Sequence, residues 1–228
     1  MLQEAEEFLT FSNIINEYVS AIMIGLDLNV CNYDHQIVWD YIISSQEAKI
    51  RGFDFSGTAR WRYSGFIFSD EIETSVVYNT RMSQKRINFT ISHELVHLLY
   101  HLDAENHTFA DTKDVLESTS TDYLVEFQAN IGASAILLPE PVMIKELKAG
   151  TPIPIISDTY GISEAALFNR LIQTMQSQFL VSYFAASQTA KKIMNRYHNG
   201  GKAKMMELGR NLEKKSLDIN PFYEALCL

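Results

Sequence analysis

The chain has 228 residues, 46% hydrophobic and 21% charged, with 13 Phe and 11 Tyr; this is enough apolar matter for a sizeable core and excludes a disordered or fibrous chain. Two cysteines, Cys31 and Cys227, sit near opposite ends; they exclude a disulfide framework and a cysteine-only zinc site, and fit free thiols in a reducing cytoplasm. The net charge of −9 is unevenly spread: residues 1–140 carry 8 Lys+Arg against 21 Asp+Glu, a difference of −13, whereas 141–228 carry 11 against 7, a difference of +4.

The opening stretch MLQEAEEFLT is acidic and lacks the basic start of a signal peptide, and no apolar run approaches the ~18 residues of a membrane span. Apolar spacing predicts helices over 6–24 and 36–48. The pattern then changes: TARWRY (58–63), GFIFS (65–69) and TSVVYNT (74–80) are aromatic and β-branched, and read as three short antiparallel strands. The 74–80 strand, just ahead of the next helix, is expected at the sheet edge, where an extended peptide can add to it. Residues 83–101 return to helical spacing, 102–118 are acidic and irregular and read as a loop, and 122–138 form a strongly apolar helix stopped by Pro139 and Pro141. Short helices are expected over 141–176, broken at Gly150–Pro154 and Gly161. Further helices over 182–197 and 202–215 are split at Asn199-Gly200-Gly201.

The chemistry lies in His93-Glu94-Leu95-Val96-His97, an HExxH motif that a shuffled chain of this composition would contain about once in a hundred. On a helix, positions four apart share a face, so both imidazoles reach one ion at the ~2.0–2.1 Å zinc–nitrogen distance. Glu94 cannot easily share that ligand direction; it is placed to deprotonate water at the open coordination position. Zinc needs a third protein ligand. A third histidine ten residues after His93 would suit a metzincin, but that position is Asp103, and His101 is out of register. Glu126, on the second apolar helix, completes a His-His-Glu set; its neighbours Leu124, Val125 and Phe127 make an unpaired carboxylate costly there. Asn130, one turn on, is expected to hydrogen-bond a ligand histidine. Tyr78, Tyr100, His101, Tyr123 and His198 remain open as partners for a developing oxyanion, with a hydrogen-bonded packing role the alternative for Tyr100 and His101.

These residues resemble the ImmA/IrrE metallopeptidases of bacteria, phages and mobile elements. The match rests on Val76-Val77-Tyr78-Asn79, Arg86, Phe89, Thr90, the HExxH run with His101, Glu126-Phe127-Gln128-Ala129-Asn130 closed by Leu137-Leu138-Pro139, Tyr160-Gly161-Ile162-Ser163 and Arg170-Leu171, spanning roughly 58–172. The resemblance implies a zincin-like fold; with the elements above, the chain reads as α+β, a zincin-like domain (1–140) with a small antiparallel sheet and the HExxH helix, then a helical C-terminal region (141–228), helix-turn-helix-like around 156–173. It implies one Zn2+ per chain on His93, His97 and Glu126, with Glu94 as the base. It further implies an endopeptidase that cleaves a helix-turn-helix repressor and derepresses its genes, acting in the cytoplasm to which the free thiols point. Two departures stand out: the family often has Gly where this chain has Val96, and Phe at or near Gly132. A different class of function stays open, a DNA- or repressor-binding regulator whose zinc site is structural or inactive. Its reading helix would offer Asn169, Arg170 and Gln173, with basic residues from Lys191 to Lys215 beside it. No membrane partner is expected.

Overall fold

The computed structural model describes residues 2–58, 63–70, 72–102, 108–112, 120–195 and 200–228. The chain divides into two compact units, 36–133 and 1–35 with 134–228. The fold class is α+β as expected, and among the described residues the strands lie in the first unit.

In the 36–133 unit, α2 (His35–Ser45) is followed by β1 (Ala48–Phe53), β2 (Tyr63–Ser69), β3 (Thr74–Asn79), α3 (Gln84–Tyr100), β4 (Thr108–Thr112) and α4 (Ser120–Leu137), whose last turns enter the other unit. The four strands form one sheet in the order β1-β3-β2-β4. As anticipated, β2 is antiparallel to β3, with Phe66 opposite Val77. It is also antiparallel to β4, with Phe66 opposite Ala110. Most of TARWRY lies outside the described residues, and of the 102–118 segment only β4 and Leu102 are described.

Two expectations are corrected. The helix read over 36–48 stops at Ser45; Glu47 turns the chain with a positive φ of 51°, and Ala48 opens β1, which pairs parallel to β3. Strand β3 therefore lies between β1 and β2 and offers no free edge; the edges are β1 and β4. The burial patterns agree with these places. Ser75, Val76, Val77 and Asn79 of β3 are all buried, the two-sided burial of an inner strand, whereas Ala48 alone is buried in β1.

Helix α3 packs on β2 and β3, which explains why all ten residues from Asn88 to Leu98 except Phe89 are buried, including both motif histidines. From α2, Val38, Trp39 and Ile42 add to this core, and the Trp39 indole donates to Ser92 Oγ at 2.9 Å, anchoring α3 one residue before His93.

In the other unit, α1 (Leu2–Gly25) packs on α7 (Glu164–Phe179) and α10 (Tyr223–Leu226). Helix α5 (Glu140–Ala149) crosses α9 (Gly201–Ile219), where a Cβ on Gly209 would stand 2.7 Å from the Lys148 nitrogen; only glycine permits that approach. Helices α6 (Ile153–Thr159) and α8 (Tyr183–Met194) pack on α7. The family-like Tyr160–Ser163 stretch is the corner between α6 and α7: Gly161 takes φ +60°, Ser163 caps α7 through Ala166, and the Tyr160 hydroxyl donates to Glu146 at 2.7 Å.

Candidate metal centre

Three side chains from two helices converge. His93 and His97 are one turn apart on α3, and their Nε2 atoms lie 3.0 Å apart. Glu126, from α4, brings one carboxylate oxygen to 3.2 Å from His93 Nε2 and the other to 3.4 Å from His97 Nε2. A tetrahedral ion with bonds of ~2.0–2.1 Å places its ligand atoms about 3.3–3.4 Å from one another. Two imidazole nitrogens and a carboxylate at these separations fit a zinc-type cation. Burial opposes ionisation of Glu126, but the facing His93 and His97 imidazoles outweigh it and hold the carboxyl well below the usual carboxylate range. An anionic, partly exposed carboxylate beside two buried imidazoles leaves one side of the cluster open to water.

Glu94 is fully buried and sits against β2: a Cβ built on Gly65 would lie 3.2 Å from Glu94 Oε1, 2.8 Å from the Val77 carbonyl and 2.5 Å from Thr90 Cγ2. Glycine at 65 thus makes room for the carboxylate. It also pairs with Tyr78 in the β2–β3 ladder, so the sheet sets the depth of Glu94.

The expected support from Asn130 is not what the structure shows, since Asn130 is exposed. His97 Nδ1 instead lies 3.0 Å from His101 Nδ1, and His101 Nε2 lies 3.0 Å from Gln128 Oε1. Burial pushes the His101 imidazole down to about 4, with the Gln128 contact opposing the shift, so this ring is neutral near pH 7. The signal for this arrangement is in the sequence: histidines at 93, 97 and 101 form one row on a helix face. Of the other polar candidates, Tyr78 lies over Gly52 of β1, Tyr123 is exposed one turn before Glu126 and stacked on Phe127 at 6.1 Å, and His198 falls outside the described residues.

The departures at 96 and 132 face each other. A Cβ on Gly132 of α4 would run into both methyls of Val96, which is fully buried on α3 between the two histidines. Val96 therefore fills the space that a side chain at 132 would need.

The family model Peptidase_M78, described as the IrrE N-terminal-like domain, matches residues 38–172. The chain belongs to this family. The match begins in α2, about twenty residues ahead of the stretch that carries the motifs, and runs through β1–β4, α3 and α4 into α7, where the motifs also end. The chain is also 29% identical over 92 residues to the radiation response metalloprotease IrrE of Deinococcus radiodurans, a stretch that covers 40% of this chain and 26% of that protein. A metallopeptidase fold is thereby identified, and the chain spans about a quarter of the length of this curated relative. Among the described residues, no helix is long and apolar enough to cross a membrane.

Proposed function

We propose that this chain is a zinc-dependent endopeptidase that binds one Zn2+ on His93, His97 and Glu126 and uses Glu94 as its general base. The observation that carries the proposal is the convergence of the His93 and His97 Nε2 atoms, 3.0 Å apart, with the Glu126 carboxylate, one oxygen 3.2 Å from the first and the other 3.4 Å from the second, beside a buried Glu94. Zinc, when bound, supplies a Lewis acid that polarises the scissile carbonyl and acidifies water. Glu94, held at fixed depth by Gly65, accepts the water proton on its carboxylate and passes it to the leaving amine nitrogen. The surrounding core, with Leu95 and Val96 fully buried, excludes bulk water from the back of the site.

An extended peptide would add to the sheet at β4 rather than β3, because β4 is the edge beside β2, and β2 carries the glycine against Glu94. The proposed substrate is a helix-turn-helix repressor, cut in a flexible segment so that its genes are derepressed, in the manner of phage and mobile-element regulation. Catalysis would belong to the part drawn from the sequence as 1–140, and docking of a folded portion of the repressor to 141–228. Exposed Lys191, Lys192, Lys202, Arg210, Lys214 and Lys215 support that docking role. A cytoplasmic site of action fits the two free cysteines.

The rival reading, a DNA-binding regulator, loses support from α7. Arg170, the cation of the supposed reading helix, is fully buried and donates to Asn16 at 2.7 Å and to the Leu138 carbonyl at 3.3 Å. Gln173 is engaged with Ser134. Asn169 alone of the three is left exposed. The test is metal content with cleavage. Purified protein should carry near-stoichiometric zinc and cut a helix-turn-helix repressor encoded beside it. The Glu94→Gln variant should keep zinc and lose cutting; a variant that still cuts would remove Glu94 from the mechanism.

A further inference from the structure

We infer that Gln128 and His101 form a proton-ordering relay that fixes His97 in the tautomer a metal ligand requires; the inference rests on the zinc reading above. The relay runs in one line across two helices: Gln128 Oε1 to His101 Nε2 at 3.0 Å, then His101 Nδ1 to His97 Nδ1 at 3.0 Å, which leaves His97 Nε2 pointing at His93 and Glu126. Each neutral imidazole carries a single N–H, so the three contacts are not independent. If the Gln128 carbonyl oxygen accepts from His101 Nε2, the His101 proton is on Nε2 and its Nδ1 is a bare lone pair. That lone pair can only accept, so His97 carries its proton on Nδ1 and presents a bare Nε2 to the metal.

The opposite ordering also closes the line but spoils the site. With the Gln128 amide turned to donate, His101 would be protonated on Nδ1 and His97 would be forced to hold its proton on Nε2, where a cation must bind. One terminal oxygen on α4 therefore selects between a ring that can bind metal and one that cannot. Metal-bound histidines ordinarily place the second N–H on a carboxylate, carbonyl or water. Here the acceptor is another histidine, and its acceptor state is set by a residue two positions beyond the third ligand. His101 has both nitrogens engaged in this way, which assigns it to positioning and removes it from the candidates for direct contact with substrate.

The experiment compares wild type with Gln128→Leu, Gln128→Glu, His101→Phe and the Gln128→Leu/His101→Phe pair. Zinc affinity is measured by chelator competition, and side-chain nitrogen NMR of the zinc-loaded protein reports which imidazole nitrogens carry protons. Thermal melts of the metal-free proteins check folding. The expected result is tenfold to hundredfold weaker zinc binding for Gln128→Leu and His101→Phe, the usual size of such an effect. The Gln128→Glu variant should bind as tightly as wild type, because a carboxylate still accepts. The pair should be no worse than His101→Phe alone, since Gln128 acts through His101. In wild type, His101 should be protonated on Nε2 and bare on Nδ1. Equal zinc affinity in wild type and Gln128→Leu, a Gln128→Glu variant as weak as Gln128→Leu, or a His101 proton on Nδ1 would each overturn the relay while leaving the zinc reading intact. A wild-type protein that takes up no zinc would overturn that reading, and the relay with it.

Discussion

Adding one methyl group at Gly132 should damage metal binding more than it damages stability. On an exposed helix, Gly→Ala favours folding by about 1 kcal/mol. At 132 the new Cβ would collide with Val96 Cγ2 and lie 3.1 Å from its Cγ1 and 3.3 Å from its Cβ. Carbon atoms in favourable contact sit about 3.5–4.0 Å apart. Val96 is fully buried, and a β-branched residue in a helix has one strongly preferred rotamer, so its methyls cannot swing away. The helices must part locally by roughly 0.5–1 Å. Overpacking of this kind costs about 1–3 kcal/mol, which leaves a net loss of about 0–2 kcal/mol once the helix propensity is counted. For a chain of this length that is a fall in Tm of at most about 8 °C. Metal sites tolerate errors of only about 0.2 Å in ligand distance, and Glu126 is six residues up the same helix, about 9 Å along its axis. A displacement of 0.5–1 Å carried to Glu126 exceeds that tolerance, so Gly132→Ala should weaken zinc binding by tenfold or more. Trimming the obstacle with Val96→Ala should restore affinity in the double variant. Chelator competition and thermal unfolding of the metal-free proteins measure the two effects separately. Unchanged zinc affinity in Gly132→Ala, or no recovery in the double variant, would refute the argument that this contact sets the spacing of α3 and α4.

His93→Ala should lose stoichiometric zinc, measured by metal analysis of the purified protein; full retention would remove His93 from the ligand set. Gly65→Ala should keep zinc but cut cleavage at least tenfold, because the new Cβ presses on Thr90 and the Glu94 carboxylate. Glu73 is held near pKa 2, chiefly by Lys49, with Ser75 and Arg51 adding to it; its contribution is present above the ordinary carboxylate value and is lost as pH falls from about 4.5 toward 2. Glu73→Gln should lower the neutral-pH melt slightly, as expected for an exposed ion pair, and the difference from wild type should vanish as the pH falls toward 2, which flattens that part of the acid-unfolding curve. Lys191→Glu/Lys192→Glu should weaken repressor capture at low salt, read as a higher KM with kcat and zinc content unchanged.

The residues at the centre of this site were legible because metal chemistry restricts both residue type and spacing: HExxH on a helix, followed by a glutamate on a second apolar helix, admits few alternatives. What surrounds them was less legible. Residues Ala48–Phe53 carry a single buried side chain, so β1 has almost no hydrophobic alternation to announce it, and only Gln46 and Glu47 separate it from α2. With β1 unseen, β3 looked like the last strand of a meander and hence an edge. Asn130 shares a helix face with Glu126, but contact with a ligand depends on where α3 and α4 cross, which sequence spacing does not encode. The crossing instead brings Gln128 to His101. Arg170 shows the same limit: an arginine on an amphipathic helix reads as a surface cation until its partners, Asn16 and the Leu138 carbonyl, arrive from distant sequence.

The order of the strands also bears on how the proposed peptide-binding edge comes into being. Strands β2 and β3 are joined by four residues and can close as a hairpin at small entropic cost, whereas β4 reaches β2 only after the chain has passed through all of α3. The strand proposed to receive the peptide is thus a late arrival in folding, held on one side alone and interrupted by a register shift near Tyr63. Hydrogen exchange should find its amides the least protected of the sheet. An incoming substrate strand would then give β4 a second ladder, so substrate binding and completion of the sheet become a single event.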